Sequence, residues 1–330
     1  MTKNNHTFNS LSLLLAKNIL NGLDSSLKNV STNNNYRNEF SISQKMIPAQ
    51  DPIQVLNDKV EKLESLLNFY SDLYHQSPDF RKIKVEKKIT KRIFYEKYYF
   101  KNRPVIIKEM LANCDALRKW SPDYFLQRFG SIPIQVTRRR ESNPEYEKSF
   151  YSTLANITVR EFIKLIIENP DSNDLYLVAR NYFFSNPNFE SLKEDLKPFP
   201  SIIDSSCEGT NVLKLWFGPK GTVTPFHHDK HSILFAQIYG RKQFKMIPSF
   251  ELNKMYNVDR YYSEVDPEKI DKEKYPEFLE TSLSDVILEP GDLLFIPAGW
   301  WHWVRSLDIS ISVTFSNFFV KDFNTEWKCK

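Results

Sequence analysis

The C-terminal half of the sequence consists of short apolar runs separated by turn-forming residues. Beyond residue 174 these runs are LYLVA, VLKLWF, ILFAQI, FKMI, DLLFIP and ISISVTF, with Gly and Pro between many of them. Runs of this length suit strands better than helices, and the helical patterns that would separate strands in βαβ units do not occur between them. The pattern therefore predicts an all-β barrel or sandwich for residues 174–330.

The residues before this half predict three further segments. Residues 1–50 are rich in Asn and Ser, which is typical of a loosely ordered arm. Residues 51–80 place apolar side chains alternately four and three apart from Leu56 to Tyr74, which predicts a helix with a narrow apolar seam. We interpret the seam as packing on the main domain, with a homodimer contact as the alternative. Residues 81–173 mix helical and strand-like stretches. The run Arg138–Arg140 within them is interpreted as a solvated face, with contact to an acidic substrate as the alternative.

Composition argues against several classes of partner and site. The formal charge of +4 is close to balance, so nucleic acid and membrane surfaces are not indicated as partners. The three cysteines have no CxxC spacing, which argues against a zinc knuckle or a disulfide framework and fits a reducing compartment. The start of the chain has no signal-peptide pattern, so we expect a cytoplasmic protein.

Four of the six histidines lie in the β-rich half, and two of them form a metal-binding pattern with an aspartate. In TPFHHDK, His227 and Asp229 are two residues apart, so on a strand both side chains point to the same side of the sheet. In PGDLLFIPAGWWHW, His302 follows a predicted turn and strand and can reach the same site from a neighbouring strand. His228 and His231 are interpreted as non-ligands.

Two imidazoles and one carboxylate on one face of an ion suit non-haem Fe(II), because the opposite face stays open for substrate and O2. The same ligands bind several divalent ions, so a Zn(II) or Mn(II) cupin isomerase is an alternative.

Lys242 is a candidate for binding an anionic ligand. In KQFKMIP the alternation places it on the same face as Phe244 and Met246, which predicts that it points into the barrel. A buried ammonium group needs an anionic partner, and a ligand carboxylate would supply one. A position at the barrel rim, with the charged group in water, is the alternative.

Several segments resemble the successive motifs of one enzyme family. WFGPKGTVTPFHHD, ILFAQIYGRKQFKMIP and GDLLFIPAGWWHWVRSLDISISVTF are similar to JmjC-domain, cupin-like 2-oxoglutarate hydroxylases, and FYEKYYFKNRPVIIKEM resembles the N-terminal part of that family. The resemblance is close over residues 174 to about 318 and leaves out residues 1 to about 80. It implies a mainly β fold: a double-stranded β-helix core of the cupin or jelly-roll type with an N-terminal α-helical extension.

The resemblance also implies a metal, a cosubstrate and the residues that bind them. His227, Asp229 and His302 match the family's Fe(II) ligands. Lys242 matches the lysine that binds the distal carboxylate of 2-oxoglutarate, the cosubstrate that the family uses together with O2.

Two hydroxyl residues match those that commonly share this carboxylate, namely Thr224 and Tyr176. Thr224 is three residues before His227, so both side chains face the site only if the strand is irregular near Pro225.

The chain departs from the family pattern at one position near the cosubstrate. Many members carry Asn six residues after the first iron ligand, where this chain has Ile233. On the last predicted strand Ser312 and Thr314 alternate with apolar residues, so either of them could supply a polar contact instead.

The function implied by the resemblance is that of an Fe(II)- and 2-oxoglutarate-dependent dioxygenase. The motifs are most similar to the branch that hydroxylates amino-acid side chains in proteins or peptides. Hydroxylation of a small molecule and N-methyl demethylation are alternatives with the same chemistry. A non-catalytic cupin that binds a ligand or serves as an interaction module is the alternative from a different class, and cosubstrate turnover distinguishes it.

Overall fold

The structure is a computed structural model that describes residues 51–143, 145–147, 149–179, 183–206, 212–257 and 261–320. The expected arm of residues 1–50 lies outside this range. Among the described residues, the strands are β1 Lys84–Lys87, β2 Val105–Lys108, β3 Pro133–Thr137, β4 Leu154–Thr158, β5 Leu213–Gly218, β6 Val223–His227, β7 Ile233–Tyr239, β8 Lys242–Ile247, β9 Ser284–Leu288, β10 Leu293–Ile296, β11 Trp301–Ser306 and β12 Ser310–Phe315.

Two facing sheets form the barrel. The larger has the strand order β1-β2-β10-β7-β12-β5 and the smaller has the order β6-β11-β8-β9, while β3 and β4 pair separately. All pairings except that of β1 with β2 are antiparallel. The prediction of a cupin-type barrel is confirmed. The run LYLVA is an exception among the predicted strands, because its residues Tyr176 and Leu177 form only isolated bridges.

Apolar side chains from both sheets fill the space between them. Phe235 of the larger sheet and Phe244 of the smaller one meet with ring centroids 4.9 Å apart. The outer face of the larger sheet is also covered, since Phe217 of β5 packs against Phe125 and Phe162 of two helices. Strands of the larger sheet are therefore buried on both faces, which explains why every residue of β12 is buried.

Side-chain caps mark the first turn of several helices. The helices are α1 Pro52–His75, α2 Lys91–Phe94, α3 Ala116–Lys119, α4 Pro122–Phe129, α5 Val159–Glu168 and α6 Glu190–Asp195, with a π-helical turn at Tyr95–Tyr99. Short 3-10 turns occupy Phe150–Thr153, Phe183–Ser185, Pro187–Phe189, Ser249–Lys254 and Glu277–Glu280. Helix α4 begins at the Ser121 cap, and α5 begins at a capping box of Thr158 and Glu161.

Helix α1 covers the segment for which the apolar seam predicts a helix. Its last turns contact the barrel: the Tyr74 ring lies 5.3 Å from that of Phe250, and the Ser71 hydroxyl donates to the buried Glu251 carboxylate at 3.2 Å. Tyr70 of the seam is 49% exposed. Within the described part of the chain, no helix is both long and apolar enough to cross a membrane.

Candidate metal centre

Three side chains converge at one end of the cavity between the sheets. His227 is the last residue of β6, Asp229 follows it, and His302 is the second residue of β11. One ligand atom from each lies within 4.8 Å of the others, and the two imidazole ring centroids are 4.1 Å apart. Asp229 does not share the strand with His227, so that part of the prediction is wrong. A backbone hydrogen bond of 2.9 Å from Gly299 N–H to the Asp229 carbonyl instead ties this loop to the turn before β11.

Backbone carbonyls fix the tautomer of both imidazoles. His227 Nδ1 lies 2.9 Å from the Pro225 carbonyl oxygen, and His302 Nδ1 lies 3.0 Å from the Trp300 carbonyl oxygen. A carbonyl oxygen can only accept a hydrogen bond, so each Nδ1 carries a proton, and in the neutral ring Nε2 keeps its lone pair. His302 Nε2 is 3.8 Å from Asp229 Oδ2, which leaves the lone pairs directed towards one shared position.

The protonation states of His302 and Asp229 suit the binding of a cation. Burial lowers the pKa of His302 to about 3, and repulsion from His227 adds to this, so the ring is neutral at pH 7. Burial alone would raise the pKa of Asp229, but electrostatic interactions with the neighbouring His227, His302, His231 and Lys214 hold it below its usual value. A neutral imidazole and an ionised carboxylate are the forms that bind a metal ion.

The remaining histidines of this region lie beside the triad and not in it. His228 packs edge-on against the Trp301 ring, with centroids 4.7 Å apart. His231 lines the outer part of the cavity. Within the described residues, the triad is the one group of His, Cys, Asp and Glu side chains close enough to hold an ion.

Lys242 extends into the same cavity from β8. Its side chain is 1% exposed, so the ammonium group is inside the barrel and not at a solvated rim. Burial lowers its pKa to about 7. Its Nζ donates to the phenol oxygen of Tyr176 at 2.7 Å, and among the described residues no carboxylate forms an ion pair with it. A buried cation that has only a neutral partner fits a site built for an anionic ligand.

Thr224 reaches this cavity because β6 is irregular. Along the pairing of β11 with β6, His302 is opposite His227 and Val304 is opposite Thr224. Two residues of β6, Pro225 and Phe226, therefore lie opposite one residue of β11. This bulge contains Pro225 and lets Thr224 and His227 line the same cavity, as the spacing of the two residues required. Burial raises the pKa of Tyr176, and the nearby charge of Arg140 opposes part of that shift.

The larger sheet forms the wall opposite the triad. Thr314 and Ile233 line the cavity there. Ser312 does not, because it is fully buried and donates to Gln237 Oε1 at 2.8 Å. Of the two residues considered as substitutes for the missing Asn, Thr314 is therefore the one that faces the cavity.

The structure adds residues that the sequence did not single out. Arg140, predicted to be solvated, is 2% exposed and donates to the Val223 carbonyl at 2.6 Å and to Glu147 at 3.1 Å. It therefore joins the start of β6 to the loop that carries Glu147, which lines the outer cavity. Trp216 of β5 also lines the cavity. Neither residue carries a sequence signal, since a strand tryptophan is usually a core residue and an arginine run is usually solvated.

Comparison with known proteins gives one family. A family model described as a cupin-like domain matches residues 90–324. "Lysine-specific demethylase 8" of Xenopus tropicalis is 33% identical over 229 residues, which are 67% of this chain and 49% of that protein. "Lysine-specific demethylase JMJ30" of Arabidopsis thaliana is 32% identical, with 67% and 51% covered. "Arginine-specific demethylase JMJ20" of Arabidopsis thaliana is 24% identical, with 71% and 56% covered. The chain spans about half the length of these curated relatives.

Proposed function

The chain belongs to the family of cupin-like domains, and we propose that it is an Fe(II)- and 2-oxoglutarate-dependent oxygenase that oxidises a C–H bond of a protein side chain. The proposal rests on one observation: a single cavity holds a His-Asp-His cluster together with a buried lysine that has no anionic partner among the described residues. A cation site beside an anion site is what a metal ion and a keto-dicarboxylate require together.

The residues present fit both groups. Nε2 of His227, Nε2 of His302 and the Asp229 carboxylate would hold the ion, and the carbonyls behind the two rings would keep their lone pairs in place. Lys242 would bind the far carboxylate of 2-oxoglutarate, supported by the Tyr176 phenol. When bound, iron with the keto acid and O2 supplies the oxidant that removes hydrogen from the substrate.

The chain's own contribution is to hold these groups and to exclude water. Apolar side chains of both sheets, among them Phe235, Phe244 and Ile296, line the inner cavity around Lys242. Such lining strengthens charge interactions inside the cavity and keeps bulk water away from the reacting atoms. The keto acid would therefore be oriented mainly by the few polar groups that face it.

We propose a protein as the substrate, and the charge of a cleft beside the cavity favours a basic segment of that protein. This cleft of about 480 Å³ shares Glu147 and Tyr262 with the outer cavity. Among the described residues, its lining includes one ammonium group, that of Lys274, and the carboxylates of Glu145, Glu147, Glu264, Asp266 and Glu268. Arg140 and Arg305 offset part of this charge through their ion pairs with Glu147 and Glu268, and carboxylates still outnumber cations in the described lining. An acidic cleft favours lysine and arginine side chains near the oxidised atom.

Two products are compatible with this site. The sequence motifs favour a hydroxylated side chain, whereas the names of the relatives favour removal of an N-methyl group from lysine or arginine. Both reactions begin with removal of hydrogen from carbon. In demethylation the oxidised methyl group leaves as formaldehyde, so the methylated peptide loses carbon, and in hydroxylation the peptide gains one oxygen atom.

Mass spectrometry of peptides treated with the Fe(II)-loaded protein, 2-oxoglutarate and O2 tests the proposal. We expect modified lysine- or arginine-containing peptides, with formation of succinate in equal amount. Matched libraries of methylated and unmethylated peptides distinguish the two products, because only the methylated library can release formaldehyde. Asp229→Ala is the inactive control. Absence of any iron-dependent peptide modification, with the keto acid left intact, would leave a ligand-binding cupin as the better explanation.

A further inference from the structure

Trp216 carries a buried hydrogen-bond donor that faces the cavity. Its indole Nε1 is out of contact with solvent and has no hydrogen-bond partner in the part of the chain that the structure describes. The ring lines the inner cavity, where its centroid lies 5.9 Å from Lys242 Nζ and 5.9 Å from the centroid of the Tyr176 ring. It also lines the outer cavity, whose lining includes His227 and Asp229 but neither Lys242 nor Tyr176. An unpaired buried N–H is costly, so such a group beside a ligand site indicates an acceptor on the ligand.

A second donor lies on the same face of the same strand. Lys214 is two residues before Trp216 on β5 and lines the outer cavity. In the pairing of β12 with β5 it is opposite Thr314, the polar residue of this wall. Lys214 is half-buried and shares the lining of the outer cavity with His227 and Asp229. Both groups on β5 can only donate, so the wall is suited to a carboxylate.

The donors on β5 can replace the polar group that is missing at residue 233. The family resemblance leads one to expect an Asn on β7 near the cosubstrate, and Ile233 has no polar group to offer. Strand β5 lies two strands away from β7 in the larger sheet, with β12 between them, and its inward residues face the same cavity. The polar contact that β7 lacks can therefore come from β5.

We propose that the Trp216 indole N–H and the Lys214 ammonium group bind the carboxylate of the keto acid that lies at the metal end of the cavity. This inference rests on the proposed function. The keto acid is then held at both ends, by Lys242 and Tyr176 at the far carboxylate and by the β5 donors at the carboxylate next to the keto group. A carboxylate on the peptide substrate has the same chemistry, and the test separates the two sources.

The test compares two ligands that differ only at the far end. We would titrate 2-oxoglutarate and 2-oxopentanoate, which lacks the far carboxylate, into anaerobic Fe(II)-loaded protein and measure both affinities by calorimetry. In Trp216→Phe, which keeps a ring but removes the N–H, and in Lys214→Met, both ligands should bind about tenfold more weakly or worse. In Lys242→Met only 2-oxoglutarate should be weakened. Lys220→Met, an exposed lysine just after β5, is the matched control and should leave both affinities unchanged.

The outcomes separate this inference from the proposed function. Wild-type protein that fails to bind 2-oxoglutarate would overturn the proposed function and this inference together. If Lys242→Met discriminates between the ligands while both β5 variants bind them normally, only the inference is wrong, and the donors serve the substrate. If the β5 variants weaken 2-oxoglutarate alone, the donors contact the far carboxylate and the inference is also wrong. Thermal unfolding of each variant excludes misfolding as the cause, and Lys214→Met provides a second, partly exposed position if Trp216→Phe is unstable.

Discussion

Replacing Lys242 with methionine removes the charge that the proposed cosubstrate site depends on. Methionine keeps a similar length and the apolar contacts with Phe244 and Met246, which lie on the same face of β8. The variant also loses an ammonium group that burial already makes unfavourable, as the lowered pKa of about 7 indicates. We therefore expect the barrel to fold and its melting temperature not to fall.

The loss should appear in ligand binding. Truncating one partner of a buried charged pair costs about 2 to 5 kcal/mol, which is roughly a 30-fold to several-thousand-fold weaker affinity. Lys242 is 1% exposed, so solvent screens the pair little, while the Tyr176 phenol that remains can still donate to the carboxylate. We expect a loss of about 300-fold, near the middle of that range on a logarithmic scale.

Calorimetric titration of 2-oxoglutarate into anaerobic Fe(II)-loaded protein at pH 6, where the lysine is charged, measures this loss. Lys245→Met is the matched control, because Lys245 lies on the same strand, faces outwards and pairs with Asp285. Its affinity should equal that of the wild type. If Lys242→Met binds 2-oxoglutarate as tightly as Lys245→Met does, Lys242 is not the carboxylate partner and the argument from its burial is refuted.

Further predictions concern the metal, the hydroxyl group, the pH and the loop. His302→Ala should lose Fe(II), while His228→Ala should retain it in metal analysis, and the reverse result would mean that the wrong histidine has been assigned. Thr224→Val should weaken 2-oxoglutarate by about 1.5 to 3 kcal/mol in the same titration, less than Lys242→Met. Because Lys242 must be protonated to bind an anion, affinity should be constant below pH 7 and fall by up to about tenfold per unit above it, with proton uptake seen when buffers of different ionisation enthalpy are compared. Arg140→Met removes the contacts that join the start of β6 to the loop at Glu147, so a higher concentration of 2-oxoglutarate should be needed for half-saturation. The free energy of unfolding should fall by about 3 to 5 kcal/mol in denaturant titrations.

The parts of the site that follow from local periodicity could be predicted from the sequence. The alternation along KQFKMIP predicts the inward direction of Lys242, because neighbouring strand residues must point to opposite faces. The three-residue spacing of Thr224 and His227 required an irregular strand near Pro225, and the bulge lies there. In both cases the strand itself fixes the direction of the side chain.

Features set by loops and by distant contacts could not be predicted in this way. Asp229 lies beyond the end of β6, where the strand period no longer applies and a backbone bond to Gly299 positions the loop. Arg140 is buried because a carbonyl of β6 and Glu147 surround it, and nothing in an arginine run indicates such partners. The sequence indicates only a core residue at Trp216, whereas the structure places its unpaired N–H at the cavity.

Succinate formation tests the central claim most directly. Fe(II)-loaded protein would be mixed anaerobically with 2-oxoglutarate and a peptide pool, exposed to O2, and analysed for succinate. We predict succinate from the wild type, none from Asp229→Ala, and a strongly reduced amount from Lys242→Met at limiting 2-oxoglutarate. A protein that binds both iron and 2-oxoglutarate but forms no succinate would contradict the account and would be a ligand-binding cupin instead.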